Sequence, residues 1–128
     1  MLSVENICTI HDAIIKTLKG EPGILDIRLL ESAVKNIDQT FDGKDLYPTA
    51  IDKAAQLFYS LVKNHAFKDG NKRTAVNILQ FYLNFNNYKM YATDDDLIKL
   101  AISAAKSEIT VADIKMWIIE HTDYSQLY

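Results

Sequence analysis

Nine consecutive residues, His65-Ala66-Phe67-Lys68-Asp69-Gly70-Asn71-Lys72-Arg73, bring together an imidazole, a carboxylate, a glycine, a carboxamide and two adjacent cations. Each type has a chemical task. Imidazole is the side chain that most readily exchanges protons near neutral pH, which makes His65 the candidate general base. Asp69 is a hard oxygen ligand of the kind Mg²⁺ takes alongside substrate phosphates. Gly70 can adopt positive φ and lets a ligand approach the backbone. Unpaired amides around Gly70, at the start of the next helix, favour an anion. Arg73 can grip phosphate oxygens through two parallel bonds, and Lys72 adds a point charge. Phe67, apolar among these groups, pins the loop to the core. Taken alone, these residues describe a nucleotide-phosphate site with a base beside it.

Two helical patterns must hold this loop. Upstream, Ile51, Ala54, Ala55, Phe58, Leu61 and Val62 follow the i, i+3, i+4, i+7 spacing of an amphipathic helix capped by Thr49. Downstream, Asn71 to about Asn86 is apolar on nearly every side through Val76, Ile78, Leu79, Phe81, Tyr82, Leu83 and Phe85, which predicts a central, buried helix. Asn77 falls one turn beyond Arg73 on the same face, where it can touch a nucleotide, orient the loop or bond nearby backbone.

The other segments also read as helices. Ser3 caps a first one with Ile7, Ile14, Leu18 and either Ile10 or His11 inward, broken by Gly20-Glu21-Pro22-Gly23. Asp26 caps a second, with Leu30, Ala33, Val34 and Ile37 inward and Phe41 anchoring its end. Thr93 caps a helix whose first turn holds Asp94, Asp95 and Asp96, and whose inner edge is Leu97, Leu100, Ala101 and Ala104. Thr110 caps the last, with Val111, Ile114, Trp117 and Ile118 inward. Tyr88 to Ala92 reads as an extended connector, and His121 with Tyr124–Tyr128 as fraying end material. The expected fold is an all-α, compact single-domain bundle of about six helices over residues 1–128, with the active loop between two central helices.

The loop resembles a known signature. His-x-Phe-x-Asp-Gly-Asn-Lys-Arg-Thr-Ala, here His65 to Ala75, is similar to that of the Fic/Doc proteins, and most to their Doc (death-on-curing) branch. The usual Fic loop reads His-Pro-Phe-x-Asp/Glu-Gly-Asn-Gly-Arg; Ala66 replaces its proline, and Lys72 its second glycine, the latter being the Doc form. The resemblance implies ATP as substrate and Mg²⁺ held by Asp69. It also implies phosphate contacts from Gly70, Asn71, Lys72, Arg73 and Asn77, with His65, Asp69, Lys72 and Arg73 catalytic. A Doc-like toxin would transfer the γ-phosphate to a Ser or Thr hydroxyl of a protein, elongation factor Tu being the family's target, and so block translation. A side chain at position 72 fills the space a glycine leaves open for inner phosphates and adds a cation, and the resemblance implies that the nucleotide then binds reversed, with its γ-phosphate presented for transfer. The alternative is Fic-type adenylylation, and a second is a non-catalytic helical binding module. Many Fic proteins carry a self-inhibiting Ser/Thr-x-x-x-Glu-Gly/Asn helix. The nearest stretch here, Thr17 to Glu21, is followed by Pro22 and does not fit, so inhibition in trans by a Phd-like antitoxin is implied, with exposed apolar side chains of the first two helices as the contact. The loop Asp42 to Pro48 resembles the flap with which Fic proteins hold a target segment; a plain surface connection is the other reading. An early His-Asp, here His11-Asp12, also occurs in Doc-like proteins.

Composition bounds the rest. The chain has 128 residues, 48% hydrophobic and 24% charged, which suits a folded domain. Its net charge of −3 offers no basic field for nucleic acid, and Lys68, Lys72 and Arg73 lack an aromatic platform. His11, His65 and His121 have no metal-ligand spacing, and the single Cys8 permits neither a thiolate cluster nor an internal disulfide. No apolar run approaches the ~18 residues of a membrane span, and the N-terminus lacks a signal pattern. A cytoplasmic location away from membranes is the expectation.

Overall fold

The computed structural model describes residues 2–125. Its framework is six helices: α1 (Val4–Leu18), α2 (Ile27–Asn36), α3 (Ala50–Asn64), α4 (Asn71–Phe85), α5 (Asp94–Ala105) and α6 (Val111–His121). Four of them start in the same way. Ser3, Thr49, Thr93 and Thr110 accept a bond from the amide three residues on, and the side chains of Asn6, Asp52, Asp96 and Asp113 return to the cap's own amide. Asp94, Asp95 and Asp96 occupy the first turn of α5, where carboxylates offset the positive helix end.

α4 packs against α1, α3 and α5, and α3 against α2, α4, α5 and α6. Ala54, Ala55, Leu57, Phe58, Leu61 and Val62 of α3 share one apolar cluster with Ala75, Val76, Ile78, Leu79 and Leu83 of α4. The expected inner edge of α5, Leu97, Leu100, Ala101 and Ala104, is buried. The loop of interest is therefore fastened to the two helices with the most neighbours. Among the described residues, no helix is long and apolar enough to cross a membrane.

Several local expectations are corrected. On α1 the buried line is Ile7, His11 and Ile15, spaced by four, while Ile14 is half-buried and Leu18 is 57% exposed. That face is set by what α1 meets, because His11 finds a polar partner inside. The second half of α4 is not enclosed, and Phe81 and Phe85 reach solvent. Phe41 does not anchor α2; it is 75% exposed. It lies instead on a small antiparallel hairpin of β1 (Thr40–Phe41) and β2 (Lys44–Asp45). Asp42 and Gly43 both have positive φ, 54° and 77°, as a two-residue I′-type hairpin turn requires. The connector after α4 contains β3 (Tyr88–Met90), paired antiparallel with β4 (Thr122–Tyr124) so that Tyr88 faces Tyr124. His121 is not frayed: its ring stacks on Trp117 at 4.0 Å and its Nδ1 lies 2.7 Å from the Trp117 carbonyl. Of the expected tail, Gln126 to Tyr128 lie outside the described residues.

Candidate active site

The loop leaves α3 through His65, whose backbone is left-handed at φ 51°, ψ 49°. That conformation at a helix end is usually glycine's, and it turns the imidazole outward. The His65 ring is exposed and makes no hydrogen bond or ion pair among the described residues. The chain then dives inward: Ala66 and Phe67 are buried. The segment between α1 and α2 runs alongside as a rail. The Ala66 carbonyl accepts from the Leu25 amide at 2.7 Å and the Asp26 amide at 3.2 Å, and the Lys68 amide donates to the Gly23 carbonyl at 3.0 Å. Ile24 and Phe67 form the antiparallel bridge between the two stretches.

Asn71, the first residue of α4, closes the loop from the other side. Its Oδ1 accepts from the Phe67 amide at 3.0 Å and its Nδ2 donates to the Phe67 carbonyl at 2.8 Å. The buried carboxamide thus supports the loop backbone. From α1, His11 is buried with its ring stacked on Phe67 at 3.7 Å and 7°, and its Nε2 lies 2.7 Å from the Asp69 carbonyl oxygen. Gly70 has φ 79°, and a Cβ there would stand 3.1 Å from Ile15 Cδ1. Both the turn and the close approach of α1 call for glycine.

The side of the loop facing solvent carries the charges. Gly70 is the N-cap of α4 and supplies no side-chain cap, so among the described residues the first-turn amides of that helix have no capping side chain and point to an outside acceptor. Lys72 is half-buried and forms no ion pair among the described residues. The Asp69 carboxylate is exposed; Oδ1 accepts from the Gly70 amide at 2.8 Å and Oδ2 from the Glu21 amide at 3.1 Å. Each oxygen keeps a free lone pair, so this hard donor fits a Mg²⁺ ion that takes its other ligands from phosphates and water. Among the described residues no three His, Cys, Asp or Glu side chains gather into a protein-only metal cage.

Arg73 points toward α5, where its guanidinium bonds Asp94 Oδ2 at 2.7 Å. The pair borders an open groove of about 410 Å³ whose other lining residues, Ala13, Ile14, Thr17 and Leu18, belong to α1. Asn77 donates to the Arg73 carbonyl at 2.9 Å, a bond to nearby backbone. Lys68 pairs with Glu21 at 3.3 Å. The fold thus brings His65, Asp69, Gly70 and Lys72 to one end of the α3–α4 pair, with Arg73 reaching sideways. Sequence reasoning missed three contributors: His11 as the loop's inner partner, the 20–26 rail, and Asp94. The spacing of His11 four residues from Ile7 was the available signal for the first.

The sequence model of the Fic/DOC family matches residues 1–83, a span that takes in His11, the rail and the loop. The chain belongs to the Fic/Doc family. Among Fic/Doc proteins it is 43% identical over 76 residues to the "Toxin Doc" of Mycolicibacterium smegmatis, a match covering 59% of this chain and 58% of that relative's length. It is 26% identical over 113 residues to the "Protein kinase doc" of Escherichia phage P1, covering 88% of each. The Fic/Doc match ends at Leu83, so it includes nearly all of α4 and leaves α5, the source of Asp94, outside.

Proposed function

We propose that this Fic/Doc protein is a Doc-type toxin that moves the γ-phosphate of ATP to a Ser or Thr hydroxyl of a protein. The observation that carries the reading is the single loop on which His65, exposed and without a hydrogen bond or ion pair among the described residues, precedes a helix start that has no side-chain cap. A target hydroxyl beside His65 would give its proton to the imidazole as its oxygen bonds to the γ-phosphorus. The bond from that phosphorus to the β–γ bridging oxygen then breaks, and ADP leaves. Phosphoryl transfer asks for placement and charge stabilisation more than for covalent help from the protein. The first-turn amides of α4, Lys72 and Arg73 provide this around the transferring group. Asp69 would hold Mg²⁺, which when bound neutralises charge on the β- and γ-oxygens. Lys72 in place of a glycine supports transfer of the outer phosphate, as does the name of the phage relative.

An antitoxin acting in trans fits the same surface. The groove along Ala13, Ile14, Thr17 and Leu18 ends at Arg73, so an apolar helix laid in it would sit beside the phosphate contacts. Elongation factor Tu is the target to try first.

The test incubates the protein with Mg²⁺, elongation factor Tu or a cell extract, and ATP labelled at either the α- or the γ-phosphate. Transfer of the γ-label to protein is expected, and His65→Ala should slow it by about 10²–10⁴-fold with the fold intact. Transfer of the α-label would mean adenylylation instead, and an undiminished His65→Ala rate would remove the imidazole from its role.

A further inference from the structure

We infer that His11 is a positioning residue for the transfer, acting through the loop backbone, and that it does so with its proton on Nε2. The part that concerns turnover rests on the kinase reading above; the part that concerns the loop does not.

The Asp69 carbonyl oxygen can only accept, so at 2.7 Å the Nε2 atom of His11 must carry the hydrogen. The ring is 2% exposed and lies flat on Phe67, which leaves the imidazole no freedom to tilt away. Gly70 is the next residue after that carbonyl, and a Cβ built on it would stand 3.6 Å from His11 Nε2. α1 therefore backs directly onto the bend between Asp69 and α4. The direction of the Asp69 carbonyl is coupled to the peptide plane that joins Asp69 to Gly70. That plane carries the Gly70 amide, which donates to Asp69 Oδ1 at 2.8 Å, and it leads directly into the first turn of α4. A leucine would fill the same space, but it would leave a backbone acceptor facing α1 without a donor. The polar atom of His11 is aimed at the carbonyl that immediately precedes Gly70 and the start of α4, and the imidazole is buried behind the loop.

Displacements of about 1 Å at a site of this kind cost up to 10²-fold in rate, so a loosened loop should show in turnover before it shows in binding. His11→Phe keeps the stacked ring and removes the donor. His11→Gln places an amide N–H close to where Nε2 stands and gives up the ring. The phenylalanine variant should lose turnover by about 10- to 100-fold with little change in the KM for ATP, as expected of a misplacement that leaves binding intact. Amide hydrogen exchange at Phe67 to Gly70 should speed up in the same variant. The glutamine variant should recover part of both losses. A His11→Phe protein with the turnover and loop exchange of the parent would overturn the inference, as would a glutamine variant no better than phenylalanine. ¹⁵N spectra of the imidazole in the unmodified protein provide a check that needs no variant. A proton on Nδ1 alone overturns the inference; a proton on Nε2 supports it. Should the parent move no γ-phosphate, the kinase reading fails, and the tautomer with the loop exchange still decides the role of His11.

Discussion

One carboxamide holds the central peptide of the loop. Asn71 pairs with both the amide and the carbonyl of Phe67, and both bonds lie in the interior. Replacing it with alanine would strand a buried donor and a buried acceptor together, and each unsatisfied group costs about 1–3 kcal/mol. Asn71→Ala is therefore expected to lower the urea midpoint of unfolding clearly, with the slope of the transition unchanged. A midpoint equal to the parent's would mean that water replaces both bonds and that the carboxamide is dispensable to the loop. From sequence, the family resemblance makes Asn71 a phosphate contact, and nothing local marks it as a brace. In the fold Asn71 is buried with its Oδ1 and one Nδ2 hydrogen bonded to Phe67, while Lys72 beside it is half-buried and forms no ion pair among the described residues. Phe67 is legible from sequence as the apolar member of a polar run, whereas the ring it rests on lies on another helix and leaves no local mark.

At the scale of elements, the first turn of α5 reaches into the site. Thr93 and Asp96 cap that turn reciprocally, and the Thr93 hydroxyl holds the Asp96 carboxyl below its usual range. The turn so formed presents Asp94 to Arg73. A nucleotide phosphate gripped by the guanidinium would have to compete with this carboxylate. Asp94 is 67% exposed, and exposed pairs contribute about 0.2–1 kcal/mol, so the competition is mild. Asp94→Ala should lower the KM for ATP by no more than about fivefold and leave kcat near the parent value, since 1 kcal/mol is worth about that factor. Steady-state kinetics at low salt would measure it, and a KM that rises would show Asp94 orienting the guanidinium instead of occupying it. The helix starts were legible because Ser, Thr and Asp carry their own capping chemistry. The inner face of α1 was legible only in part: Ile7 and the His11 option are buried, but Ile15 takes the place expected of Ile14 and Leu18, and the choice of His11 depends on a carbonyl supplied by the loop. The β3–β4 pairing was invisible for a similar reason: each strand has three residues and its partner lies far along the chain.

At the scale of the molecule, α3 carries the loop at one end and is tied to three neighbours along its length. Lys53 reaches the Ile37 carbonyl at the end of α2, and Lys63 bonds Ser107 just past α5. Asp52, which also caps α3 through Thr49, meets Lys115 of α6 at 2.6 Å. Burial pushes the Asp52 carboxyl up, but Lys115 and Thr49 together outweigh it, and the group ends below its ordinary value. A carboxyl depressed in the fold stabilises the fold fully above its unfolded value, about 3.9, and loses that contribution as pH falls through the lower folded value. The stabilisation should thus be intact at neutral pH and fade below about pH 4. Asp52→Asn removes the charge at every pH, so it should be less stable than the parent by a constant margin near neutrality, and that margin should shrink on acidification. Asp26 and Asp96 are depressed as well, but both remain in the variant and cancel in the difference. Urea midpoints of the two proteins between pH 7 and pH 3 would decide it. A margin that persists undiminished at pH 3 would show that the α3–α6 tie rests on shape and neutral hydrogen bonding, not on the charge of Asp52.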